Sequence, residues 1–166
     1  MTEAQATLWH KIETFALDDP EAAFSFTDRL ARENRWSLSY SLGAVAEYKR
    51  FIFLICVSGR SLTPSDQVDQ VWHLHLLYTE SYWIDLCQNT LQRQIHHGPT
   101  RGGQREKQRF NNAYEDTLAQ YRLFFNEEPP ADFWPDSATR FSDIHFQRVN
   151  IRKHWVIRRP FNFDSR

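Results

Sequence analysis

Residues 51–57, Phe-Ile-Phe-Leu-Ile-Cys-Val, are apolar without a break, and Glu47, Lys49 and Arg50 stand just before them. A segment apolar on every side belongs at the centre of a fold. This run is far shorter than the roughly 20 residues a membrane span requires, so it demands a protein body around it. Periodicity alone leaves residues 51–57 with two readings, the end of a buried helix or a buried strand.

The neighbouring segments have helical spacing. Residues 5–17 carry Leu8, Trp9, Ile12, Phe15 and Ala16 as one stripe. Asp19-Pro20 reads as an N-cap followed by proline at the first helical position, opening a second helix that runs to about Asn34. Ser37 or Ser39 caps a third, ending near Ser58-Gly59. Thr63-Pro64-Ser65-Asp66 is the sharpest boundary: Thr63 caps, Pro64 starts the helix and Asp66 places a carboxylate in its first turn. A fourth helix therefore spans about 64–78, and Thr79-Glu80-Ser81 continues or restarts it as a fifth carrying Tyr82, Trp83, Leu86 and Cys87. Residues 97–103 form a loop, and a long helix follows from Gln104 to about Phe125. Glu128-Pro129-Pro130 stops it, and residues 129–143 form an irregular segment docked through Phe133-Trp134.

These elements predict a mostly α, irregular single-domain helical bundle, with 166 residues enough for one core. Residues 1–135 form the helical domain. Residues 136–166 form a basic, aromatic segment wrapped on the same body, packed through Ile144, Phe146, Ile151 and Trp155. From residue 140 onward the chain has seven basic and two acidic residues, a net +5 against −6 for the rest. The net charge of −1 disfavours a polyanion partner, so nucleic acid ranks last and a protein partner ahead of it. Met1-Thr2-Glu3-Ala4 lacks a basic n-region and no apolar h-region follows, which makes the cytoplasm the default location and leaves no membrane partner. Cys56 and Cys87 read as free thiols in apolar helices.

Chemistry concentrates in the histidines. His73 and His75 flank Leu74, and His96-His97 follow within the same stretch of chain. Imidazole is the commonest metal ligand. A helix turns about 100° per residue, so His73 and His75 point about 160° apart and cannot share one ion on an unbroken helix. Two constellations remain. Asp69 and His73 are one turn apart and can chelate or pair, with Asp66 and Glu80 as further oxygens. Alternatively His75, on the apolar stripe with Trp72 and Tyr82, meets His96 or His97. The first is a mixed nitrogen and oxygen site suited to Zn, Fe or Mn. The candidate ligands are thus Asp69, His73, His75, His96 and His97. The bland alternative is structural: a surface His73–Asp69 pair and a satisfied core His75. Glu47 either faces the histidines or pairs with a surface Lys or Arg.

Several classes are excluded. No Cys-x-x-Cys and no His-Glu-x-x-His occurs. The loop around Arg101, Gly102 and Gly103 opens a helix and is a weak candidate for anion binding, but it matches neither a P-loop nor a dinucleotide fingerprint. No serine-hydrolase signature appears.

The block Val68-Asp69-Gln70-Val71-Trp72-His73-Leu74-His75, then Tyr82 and Asp85, then His96-His97, resembles the glycine-rich domain-containing protein-like family. Glu47-Tyr48-Lys49-Arg50-Phe51, Thr79-Glu80-Ser81-Tyr82-Trp83, residues 97–103 and residues 128–135 look like blocks of a bacterial branch. The resemblance covers about residues 20–135. It implies a helical domain whose signature is Asp69, Trp72, His73, His75 and the 96–97 pair, and it brings no activity. Larger plant members look regulatory or RNA-associated and carry a glycine-rich segment that this chain lacks. Cys87 also falls one place later after Asp85 than in the plant pattern.

The function expected is a domain with a His/Asp divalent-metal site, with hydrolysis by a metal-activated water as the first chemistry to consider. The alternative is a non-enzymatic protein-interaction module in which the histidines brace helices.

Overall fold

Ser37 starts the element around which the chain is organised. Its hydroxyl accepts the Tyr40 N–H at 3.2 Å, and α3 (Leu38–Val57) runs from there for 20 residues. Phe51, Ile52, Phe53 and Leu54 are buried at four consecutive positions, as an element enclosed on all sides requires. The backbone of residues 51–57 is helical, which settles the alternative of a strand. The computed structural model describes residues 1–98, 102–142, 149, 152, 153 and 155–157. Among these, α1 (Glu3–Glu13), α2 (Phe26–Asn34), α4 (Asp66–Leu77) and α5 (Gln104–Phe125) all pack on α3. A π-helix (Glu80–Thr90) lies against α4, a short α6 (Ser137–Arg140) lies on α5, and no strand occurs among the described residues. The chain is a mostly α helical bundle, as its patterning predicts. No described helix is long and apolar enough to cross a membrane.

Two helix starts differ from the sequence reading. α2 begins at Phe26, not at Pro20. Asp19 spends its carboxylate on the Glu21 N–H (2.9 Å) and its carbonyl on the Ala22 N–H (3.1 Å), closing a local turn. The helix waits for Ser25, whose hydroxyl accepts from the Asp28 N–H while the Asp28 carboxylate accepts from the Ser25 N–H. This reciprocal pair satisfies two orphan donors and outcompetes a lone Asp-Pro signal. α4 begins at Asp66 with Ser65 as its cap (3.2 Å to the Val68 N–H). Thr63 is engaged elsewhere: its N–H donates to the Thr117 hydroxyl on α5 (3.1 Å), and that hydroxyl donates back to the Thr63 carbonyl (2.9 Å).

α5 ends at Asn126 in the left-handed conformation (φ 53°), and the chain after the two prolines folds back over α3 and α5. Phe133 sits against Tyr40 (ring centroids 4.7 Å apart), and Trp134 is buried between Phe51, Tyr114 and Tyr121. The segment after the prolines therefore docks through Phe133-Trp134, as expected, but it is not irregular throughout: Asp136 caps the short α6 within it, accepting the Thr139 N–H at 3.0 Å. Trp134 also meets Glu47, whose buried carboxylate accepts the indole N–H at 2.7 Å and the Tyr121 hydroxyl at 3.3 Å. Glu47 thus faces away from the histidines. Arg50 lies 3.8 Å away and also bonds Tyr121 and Glu127. Burial raises the Glu47 pKa, with the Trp134 N–H and the Arg50 charge opposing.

Cys56 and Cys87 are free thiols. Of the four C-terminal anchors expected, Ile144, Phe146 and Ile151 lie outside the described residues. Trp155 is 93% exposed, so it does not pack on the body. Val156 and Ile157 beside it are also exposed (51% and 79%), so these described residues lie open to solvent.

Candidate metal centre

The start of α4 at Asp66 sets its two faces. Val68, Val71, Trp72, Leu74 and His75 are buried, whereas Asp69 and His73 lie on the outer side. His73 and His75 accordingly occupy separate environments, as the helix angle requires.

On the inner face the His75 ring is fully buried. Its Nδ1 lies 2.9 Å from the Tyr48 hydroxyl and its Nε2 lies 3.1 Å from the Ser81 hydroxyl. A neutral imidazole has one donor and one acceptor nitrogen, and the two hydroxyls rotate to suit either tautomer. Phe15, Phe26 and Tyr82 surround the ring. Burial without a countercharge pushes its pKa down to about 4. Both nitrogens are already engaged, so His75 is a braced core residue and takes no part in the cluster on the other face.

On the outer face Asp69 and His73 stand at i and i+4, with His73 Nε2 3.8 Å from Asp69 Oδ2. The third member is His97. Its Nε2 lies 2.7 Å from Asp69 Oδ1, and its ring centroid is 4.7 Å from that of His73. One ligand atom from each of Asp69, His73 and His97 lies within 4.8 Å of the others. Of the two constellations that the sequence allows, the structure forms the one built on Asp69 and His73, and it is His97 that joins them, while neither His96 nor His97 meets His75. His96 is exposed and turns toward Trp83 (5.6 Å). Glu80 is exposed and outside the cluster. Asp66 sits close enough to interact with Asp69 and His73, and its pKa is raised chiefly by burial, with Arg140 opposing.

Two features hold His97 over α4. The first is the π-helix, whose wide turn is seen at its end, where the Leu91 N–H bonds the Leu86 carbonyl five residues back (2.8 Å). It turns Tyr82, Leu86 and Cys87 inward together. The second is the reversal at Gln92 (φ 53°), after which Ile95 returns to the core. His97 then lands on the Trp72 ring, 4.3 Å between centroids.

The donor set is two imidazoles and one carboxylate. A tetrahedral ion with bonds of about 2.0–2.1 Å separates its ligand atoms by about 3.3 Å. His97 Nε2 lies 2.7 Å from Asp69 Oδ1 and His73 Nε2 3.8 Å from Asp69 Oδ2, with all three ligand atoms within 4.8 Å of one another, so the three side chains would have to draw in around an ion to reach that spacing. His73 is 53% exposed on its side chain whereas Asp69 and His97 are 18% and 17%, which leaves one side open to solvent. Three protein ligands with an open position is the pattern of a catalytic rather than a structural metal site.

For the anion-binding expectation, Arg101 lies outside the described residues. Gly102 (φ 76°) and Gly103 (φ 95°) adopt positive φ on entry to α5, a conformation that suits glycine and accounts for both.

The sequence reading missed Tyr48 and Ser81 as the partners of His75, and Ile95 as the anchor for His97. Tyr48 was legible in principle as a polar residue beside the apolar run of α3. Ser81 and Ile95 depend on the π-helix and carried no local signal. No family model, curated protein or solved structure matches the chain, so the family resemblance rests on its residue blocks alone.

Proposed function

We propose that this protein binds one divalent transition-metal ion, Zn, Fe or Mn, through Asp69, His73 and His97. The observation that carries the reading is the approach of those three ligand atoms to within 4.8 Å, across chain positions 28 residues apart. The nitrogen and oxygen donors suit these metals, and the absence of a thiolate argues against a closed structural zinc cage. The half-exposed His73 side leaves room for water or substrate. A divalent ion held in this way supplies Lewis acidity and a nucleophile at neutral pH, so hydrolysis is the chemistry we assign first. The likeness to the glycine-rich domain-containing protein-like family belongs to the same proposal and adds the His/Asp signature without an activity.

Calorimetric titration of the chelator-stripped protein with Zn²⁺ tests this. The expected result is one site per chain. Asp69→Ala and His97→Ala should each weaken it by more than the roughly 10–100-fold that a supporting residue costs. His96→Ala should leave it unchanged. Equal affinity in wild type and His97→Ala, or no saturable heat in wild type, would refute the assignment.

A further inference from the structure

The hydroxyl of Tyr82 lies between the two segments that carry the cluster. It accepts the indole N–H of Trp72 at 2.9 Å and donates to the carbonyl of Ile95 at 2.6 Å. Tyr82 is wholly enclosed, and Trp72 and Ile95 are nearly so. Trp72 is the residue before His73 on α4. Ile95 is two residues before His97. One buried oxygen therefore ties the helix that carries Asp69 and His73 to the segment that carries His97. The Trp72 ring then lies against the His97 imidazole, 4.3 Å between centroids and tilted by 54°.

We infer that Tyr82 is a positioning residue of the metal centre: its hydroxyl sets the height and register of His97 over Asp69 and His73 without touching the ion. This rests on the proposed metal reading. The physical reason is that His97 arrives on an irregular segment with no ladder of backbone bonds to fix it. Beyond the reversal at Gln92, Ile95 is the only core-buried residue before His97. A ligand on such a segment has a broad range of positions unless a buried bond narrows it, and supporting residues of this kind typically contribute about 10–100-fold in metal affinity. The phenol hydroxyl suits the role because it is donor and acceptor at once. Phenylalanine would fill the same space and break both bonds.

The test compares Tyr82→Phe with Tyr48→Phe. Both remove one buried hydroxyl from the core, but Tyr48 bonds His75 on the opposite face of α4. Each variant and the wild type are stripped of metal, checked for helix content by circular dichroism, and titrated with Zn²⁺ and with Co²⁺. Tyr82→Phe should retain the apo helix content, bind Zn²⁺ about 10–100-fold more weakly, and alter the intensity of the Co²⁺ visible bands, which report coordination geometry. Tyr48→Phe should lose stability with little change in either metal readout. Should Tyr82→Phe fail to fold, Trp72→Phe, which breaks the relay at its other bond, is expected to show the same metal defect. Wild-type binding with an unchanged Tyr82→Phe overturns the positioning role alone, as does an equal loss in Tyr48→Phe. Absence of binding in the wild type overturns the metal centre and this inference with it.

Discussion

Trp134→Ala should bring the protein close to unfolding at room temperature. The side chain is 3% exposed and fills the space between Phe51, Tyr114 and Tyr121. Truncating a buried tryptophan typically costs about 3–5 kcal/mol. Here the indole is also a donor to a buried carboxylate, Glu47 Oε2. Its removal leaves that oxygen without its shortest hydrogen bond, so the upper half of the range is expected. Total stabilities of domains lie at about 5–15 kcal/mol, so the loss takes a large share. Trp134→Phe separates the two contributions. It keeps most of the ring volume and removes only the donor, and a loss of about 1–3 kcal/mol follows from the unsatisfied acceptor. Urea unfolding of both variants decides the point. A loss under about 1 kcal/mol for Trp134→Ala would mean that the segment after the two prolines is not part of the core.

The second large effect is on acid stability and comes from His75. Its pKa is about 4 in the folded protein, against 6.5 for the free side chain. Between those values the unfolded chain binds a proton that the folded chain refuses. Stability therefore rises with pH across this window: it is complete above about pH 6.5 and is lost as pH falls toward 4. From pH 7 to pH 5 the loss from this one ring is about 2 kcal/mol, at 1.4 kcal/mol per unit of displacement. His75→Gln keeps a donor and an acceptor for Tyr48 and Ser81 but takes up no proton. It should be less stable than wild type at pH 7 and should lose most of the slope between pH 7 and 5. Parallel pH profiles for the two proteins would show that the ring is not buried as described.

How far the sequence foretold this arrangement depends on the range of the interaction involved. The spacing of α5 was legible because one-sided burial on a helix is a local periodic signal, whereas the unbroken apolar run of α3 marked the centre of the fold but not its helical form. The opposed directions of His73 and His75 followed from helix geometry alone, once the segment was read as helix. The start of α2 was misplaced because two local signals compete within seven residues, and the choice of Ser25-Asp28 over Asp19-Pro20 depends on which one satisfies more backbone donors. The meeting of His97 with Asp69 was not legible as such. Asp69 and His73 were paired correctly by their spacing of four. His97 reaches them only through the π-helix and the positive φ at Gln92, and neither leaves a periodic trace. The Glu47–Trp134 bond joins residues 87 apart and was hidden for the same reason.

The metal centre is tested most directly by anomalous diffraction from crystals grown with Zn²⁺ and measured on both sides of the zinc absorption edge. The expected result is one strong peak bounded by a carboxylate oxygen of Asp69 and an imidazole nitrogen from each of His73 and His97, at about 2.0–2.2 Å from all three. A peak at His75, or a zinc-containing crystal with no density between those three side chains, would contradict it.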